Sequence, residues 1–169
     1  AVLLYNYETG EVLCKVSAPT YDPADVPEDL EENAAYKGAY LDNTLSSSFT
    51  PGSIFKLVTA AAAMEKWPDS WLDRTYDCEG SVEIGGDSIT CLHGDVHGTQ
   101  NVYEAMGNSC NVYFAHLAND LGAEALQRKG EEMGFNREFQ FGSVPISKSE
   151  LQLSGANANQ LGWAGVGQY

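Results

Sequence analysis

Two short apolar, β-rich runs open the chain, AVLLYNY at residues 1–7 and VLCKV at residues 12–16, with Glu8-Thr9-Gly10-Glu11 between them. Gly10 suits a turn position at positive φ, so the pattern predicts a β-hairpin over residues 1–16. From Ser17 to Leu41 the alternation dissolves. Pro19, Pro23 and Pro27 punctuate an acidic stretch there, which predicts a solvated surface excursion running on to residue 52. The next segment, SIFKLVTAAAAMEKW at residues 53–67, has no internal Gly or Pro and is the strongest helix prediction in the chain. Pro51-Gly52 mark its start and Pro68 its end.

Between Tyr76 and Cys91 the pattern returns to short β-like runs, SVEI and SIT, around Gly85-Gly86, which predicts a second small hairpin. A helix is predicted from Val102, broken at Gly107-Asn108 and resumed from Asn111. Phe114, Leu117, Ala118 and Leu121 then fall at i, i+3, i+4, i+7 spacing. After a pause at Gly122, residues 123–133 predict one more helix. The tail, residues 135–169, is rich in Gly, Ser, Asn and Gln and predicts no regular element. The result is an α+β organisation: a hairpin (1–16), a loop excursion (17–52), a helical part (53–134) and a tail (135–169).

Composition narrows the functions available. With 169 residues, 43% of them hydrophobic, the chain is long enough to bury one ordinary core. Nine Lys and Arg against 24 Asp and Glu give a formal charge of −15, which repels phosphate backbones and anionic lipid, so no nucleic-acid partner is expected. The longest apolar run, Val58 to Met64 around Thr59, is too short to span a bilayer. The chain starts directly in a strand-like run, without Met or a basic and apolar leader. It therefore reads as a piece of a longer protein, with any membrane anchor lying outside it. The four cysteines, Cys14, Cys78, Cys91 and Cys110, are too few for a disulfide framework in a chain of this size.

Two short motifs carry chemistry. Ser53 and Lys56, three apart in the first turn of the best helix, place a hydroxyl and an amine on one face. A serine hydroxyl needs a base to become a nucleophile, and a lysine becomes that base only when burial or nearby positive potential lowers its pKa. The helix N-terminus supplies such potential and favours an alkoxide or a bound anion. On its own this doublet reads most simply as a helix-start serine and a solvated lysine, but the Ala-rich, charge-poor helix behind it argues for a buried first turn. The second motif, Ser109-Cys110-Asn111, lies at the helix break, where a hydroxyl and an amide can project into a cleft or simply cap a helix.

Taken in order, ETGEVLCKVSAPTYDP, FTPGSIFKLVTA and GNSCNVYFAHLANDLG resemble the transpeptidase domain of penicillin-binding proteins, the serine acyltransferases that cross-link peptidoglycan. S-x-x-K and Ser-x-Asn are two of that family's three signatures, and Gly165-Val166-Gly167-Gln168 is similar to its G-x-G-Q segment. The resemblance implies an incomplete serine transpeptidase fold: the helical part, plus an N-terminal hairpin belonging to an antiparallel sheet. It implies Ser53 as the acylated nucleophile, Lys56 as its base, Ser109 as a proton relay and Asn111 as a ligand of the substrate amide. The implied partners are peptidoglycan stem peptides, β-lactam antibiotics and cell-wall synthesis proteins, at the extracytoplasmic face of a bacterial membrane, with no cofactor. The third signature, Lys-Thr-Gly, is missing from these 169 residues. In the family it anchors the substrate carboxylate, and its strand gives an oxyanion donor whose loss costs about 2.7–4 kcal/mol, so the piece alone is expected to be nearly inactive. A β-lactam sensor, a β-lactamase-like domain and a non-catalytic scaffold are the competing readings.

Cys78, Cys91, His93 and His97 form C-x12-C-x-H-x3-H, a set of zinc-ligand types. The spacing is wider than the usual structural knuckle, and the resemblance implies no metal here. It implies instead an extracytoplasmic enzyme in which Cys78 and Cys91, flanking the small hairpin, form a disulfide. Cys110 reads as a buried inert thiol, His116 as a core histidine, and Trp67, Trp71 and Trp163 as packing residues.

Overall fold

β1 (Val2–Tyr5) and β2 (Val12–Val16) pair antiparallel from Val2 opposite Val16 to Tyr5 opposite Val12, with a bulge between Leu4 and Tyr5. A computed structural model describes residues 1–169. The side chain of Asn6 accepts hydrogen bonds from the backbone N–H groups of Glu8 and Thr9, and Gly10 takes φ +74°, so the turn forms as its composition predicts. The hairpin belongs to a compact unit of residues 1–49 and 138–148. In that unit the Pro-rich excursion is held by bonds to the first hairpin and to the 138–148 segment: Lys15 pairs with Asp42, and Ser147 N–H donates to the Leu45 carbonyl at 2.7 Å. Its remaining strands, β7 (Phe139–Phe141) and β8 (Val144–Ile146), close a tight hairpin at Gly142.

The second unit, residues 50–137 and 149–169, carries the helices. A 3-10 turn (Gly52–Phe55) leads into α1 (Lys56–Lys66), and α2 (Val102–Gly107), α3 (Asn111–Leu121), α4 (Ala123–Glu132) and α5 (Ala158–Val166) follow. Two small antiparallel pairs flank them: β3 (Tyr76–Cys78) with β6 (Gly98–Gln100), and β4 (Ser81–Ile84) with β5 (Asp87–Thr90). α3 is the axis of this unit. Its residues Val112, Tyr113, Phe114, Ala115, Leu117, Ala118 and Leu121 are all buried, so the helix is enclosed on nearly every side. Each such large apolar side chain contributes roughly 1.5–3 kcal/mol of burial. α4 is amphipathic: it buries Leu126 and Gly130, while Arg128 reaches Glu65 at 2.9 Å on the exposed side.

The tail departs from its prediction, because the segment read as structureless contains β7, β8 and α5. α5 is built from small residues because it lies against α3. A Cβ at Gly165 would sit 2.3 Å from the Ala118 Cβ and 2.9 Å from the Phe114 carbonyl oxygen. Asn157 and Gln160 form a capping box at its start. His116 stacks on Tyr76 with ring centroids 5.3 Å apart, and Trp67, Trp71 and Trp163 pack against the core as expected.

Gly165→Ala overpacks the α3–α5 contact and should lower stability by about 1–3 kcal/mol, read as a lower urea midpoint. In β1 and β2, Val2, Leu4, Leu13 and Val16 are each more than half exposed, an unprotected apolar two-stranded edge. The isolated chain should therefore associate with itself in a concentration-dependent way in sedimentation; a concentration-independent monomer with full hairpin amide protection would refute this.

Candidate active site

The first turn before α1 and the break before α3 meet at the buried amine of Lys56. Lys56 Nζ lies 3.2 Å from Ser53 Oγ, 3.0 Å from Ser109 Oγ, 2.6 Å from the Ser109 carbonyl oxygen and 2.8 Å from Asn111 Oδ1. Ser109 Oγ in turn donates to Ser53 Oγ at 3.0 Å. Lys56 thus contacts the other three residues named from the two motifs, and Ser109 also contacts Ser53. Lys56 is fully buried, whereas the Ser53 and Ser109 side chains are exposed on the cleft side. Two hydroxyls therefore face the cleft while the amine beside them is hidden from solvent.

Local structure fixes each group. The 3-10 turn places Ser53 one turn ahead of Lys56, as the three-residue spacing requires. Gly167, at φ +91°, lies against this turn: its carbonyl accepts from Gly52 N–H at 2.9 Å, and a Cβ there would fall 2.1 Å from the Gly52 carbonyl oxygen. The G-x-G-Q segment is therefore a backbone support for the serine turn. Ser109 takes φ +50°, a left-handed conformation rare for a residue with a side chain, and this aims both its hydroxyl and its carbonyl at Lys56. Asn111 Nδ2 donates to the Thr90 carbonyl at 2.8 Å, so its amide is held with Oδ1 toward Lys56. That contribution from β5 is a backbone group, and no side-chain pattern in the sequence points to it.

Burial lowers the Lys56 pKa to about 8. An amine in that range is a competent base near neutral pH. Burial pushes the Cys110 thiol up to about 12, which sets it against a nucleophilic role. The cleft in front of Ser53 has a volume of about 470 Å³ and is lined by Thr90, Asn108, Ser109, Asn111, Trp163 and Gln168 among others. It offers polar groups around the exposed Ser53 and Ser109 hydroxyls, an arrangement suited to acyl transfer.

Cys78 and Cys91, the pair that the resemblance implies to be bonded, are free thiols with Sγ atoms 3.6 Å apart. His97 and Cys110 converge on the same point, and His93 of the linear ligand set does not join them.

The side chains of Ser53, Lys56, Ser109 and Asn111 stand together on a helical core with small antiparallel sheets. The sequence profile described as "Penicillin binding protein transpeptidase domain" matches residues 1–163, and the chain belongs to that family. It is 34% identical over 135 residues to stage V sporulation protein D of Bacillus subtilis, covering 79% of this chain and 20% of that protein. A crystal structure of the D,D-transpeptidase domain of a peptidoglycan glycosyltransferase from Eggerthella lenta superposes with a TM-score of 0.81 at 30% identity, covering 94% of this chain and 39% of that one. The imipenem acyl-enzyme complex of penicillin-binding protein A from M. tuberculosis has the same fold, with a TM-score of 0.86 at 24% identity over 99% of this chain and 41% of that one. The chain thus spans between a fifth and about two fifths of the length of these relatives. No helix is long and apolar enough to cross a membrane.

The buried amine gives a direct check. An unfolded lysine holds its proton up to about 10.4, so folding releases that proton between about pH 8 and that value, and Lys56 contributes stability that rises with pH through this window. A side-chain NMR titration should place the Lys56 midpoint near 8; a midpoint at the ordinary lysine value would contradict the burial argument.

Proposed function

We propose that residues 1–169 are part of one D,D-transpeptidase domain of peptidoglycan cross-linking, and that they hold the groups which form its acyl-enzyme. The observation that carries this reading is the 3.2 Å contact of the buried Lys56 amine with the exposed Ser53 hydroxyl, bridged by Ser109. Neutral Lys56 takes the Ser53 proton as Oγ attacks the carbonyl of a D-Ala-D-Ala stem peptide or of a β-lactam ring. The C–N bond then breaks, Ser53 keeps the acyl group, and the proton passes by way of Ser109 to the leaving nitrogen. Asn111 steadies Lys56 through Oδ1 and offers the free hydrogen of its amide to the substrate amide. The Ser53 N–H, in the first turn ahead of α1, is one oxyanion donor.

These residues lack the Lys-Thr-Gly strand that supplies the carboxylate anchor and the second oxyanion donor in the family, so the 169-residue chain alone acylates very slowly. The hairpin (1–16), the excursion (17–52), the helical part (53–134) and the tail (135–169) are segments of that domain. It works at the extracytoplasmic face of a bacterial membrane, among cell-wall synthesis partners.

Mass spectrometry after incubation with a penicillin, on this chain and on a longer protein that continues through a Lys-Thr-Gly strand, tests the reading. A covalent adduct on Ser53 is expected in the longer protein and should vanish in Ser53→Ala. Lys56→Met should slow acylation by roughly 10²- to 10⁴-fold. With Lys56 near 8, the acylation rate should climb with pH and level off above that value, because only the neutral amine accepts the proton. No adduct in either protein, or an adduct that survives Ser53→Ala, would overturn the assignment.

A further inference from the structure

Behind the Ser-x-Asn motif lies a cluster that the acylation chemistry does not use. Cys78 at the end of β3, Cys91 after β5, His97 before β6 and Cys110 at the N-cap of α3 bring three sulfurs and a ring nitrogen within 4.8 Å of one another. We propose that these three cysteines and one histidine form a site for a structural zinc ion.

The distances carry the proposal. A tetrahedral ion with Zn–S bonds of about 2.3 Å and a Zn–N bond of about 2.05 Å separates its ligands by about 3.8 Å for S···S and about 3.6 Å for S···N. Cys78 and Cys91 Sγ are 3.6 Å apart, Cys91 and Cys110 Sγ are 3.7 Å apart, and Cys78 Sγ is 3.4 Å from His97 Nδ1. Three independent edges thus match a tetrahedron, whereas a disulfide would need one S–S distance near 2.05 Å and would leave the other two ligands without a role. The donor set of three thiolates and an imidazole is the one that selects zinc over hard cations. All three cysteines are buried, and His97 and Cys91 line the catalytic cleft, which gives the ion a way in. Cys110 Sγ also accepts the Tyr113 backbone N–H at 3.3 Å, and His97 N–H donates to the Cys78 carbonyl at 3.1 Å, so the ligand loops are already tied.

Binding displaces three thiol protons to solvent, and neutral His97 donates through Nδ1, so no oxidant or reductant is involved. Cys110 stands between Ser109 and Asn111, and the ion would pin the strained backbone that aims both at Lys56. Cys110 is therefore a positioning residue. The site rests on its own ligands, and its occupancy is measured without a β-lactam, so its failure and a failure of the acylation reading are separate results.

The test is metal analysis of the chain purified without chelator, followed by cobalt substitution. One zinc per chain is expected, released on titration with an organomercurial. Cobalt should give the visible bands of a tetrahedral ion with thiolate charge transfer. Cys78→Ser should lose the zinc, while Cys14→Ser and His93→Ala keep it, since Cys14 is exposed and His93 lies outside the cluster. If Cys78→Ser does not fold, the cobalt spectrum of the unaltered chain decides. A chain without zinc after exposure to equimolar zinc under reducing conditions, an octahedral cobalt spectrum, or a persistent disulfide among Cys78, Cys91 and Cys110 would each overturn the proposal.

Discussion

Everything in the helical unit is arranged around one buried amine. Taking an isolated ammonium out of water is prohibitive, so Lys56 can be buried only where acceptors surround it and where its charge can be given up. Ser53, the Ser109 carbonyl and hydroxyl, and Asn111 provide four acceptors, one more than the three hydrogens of an ammonium. The contact to Ser53 is the longest of the four, and in the proposed acylation it is the one to exchange when the amine turns from donor to base. The same cage that makes burial tolerable thus leaves the serine as its weakest member, which is what a proton transfer from that serine requires.

The cage has to be held by backbone, because its members come from segments more than fifty residues apart in sequence. Ser109 sits in a left-handed conformation that costs of order 1–3 kcal/mol unless its surroundings enforce it. The enforcement comes from α3, whose enclosed apolar surface fixes the helix start, and from α5, whose glycines let it lie close to α3 and end beside the serine turn. Thr59 adds a buried cross-link, its hydroxyl donating to the Gly165 carbonyl at 2.8 Å. Packing far from the cleft is therefore converted into precision at Ser53.

α1 was legible from an Ala-rich run free of Gly and Pro, α3 from its apolar spacing, and the hairpins around Gly10 and Gly85-Gly86 from β-rich runs flanking turn residues. α5 escaped for a physical reason: ANQLGWAGV is a helix by close approach to α3, and its small residues read as loop until that neighbour is known. Its one local signal was the Asn157–Gln160 capping box. At the site, the three-residue spacing put Ser53 beside Lys56 in the sequence, but the Thr90 carbonyl that orients Asn111 and the docking of Gly167 are backbone contacts that leave no side-chain signature. The thiol cluster was half legible: linear spacing nominated His93, whose φ of +56° belongs to the turn between Cys91 and His97, and missed Cys110, which only the fold brings there.

Ser109, Cys110 and Asn111 divide their labour by direction. At the start of a helix three successive side chains leave the backbone at widely different angles, so the outer two reach Lys56 while the middle one enters the core. The middle position is consequently free of the proposed acylation chemistry and is constrained only by what lies behind it. Here that is a pocket of two further thiols and an imidazole, and the residue that fills the gap between Ser109 and Asn111 also joins β3, β5 and the loop leading to β6. Any force that moves Cys110 by a fraction of an ångström acts on Ser109 and Asn111 through single peptide links, so the state of the sulfur cluster and the alignment of the serine's base are one mechanical unit.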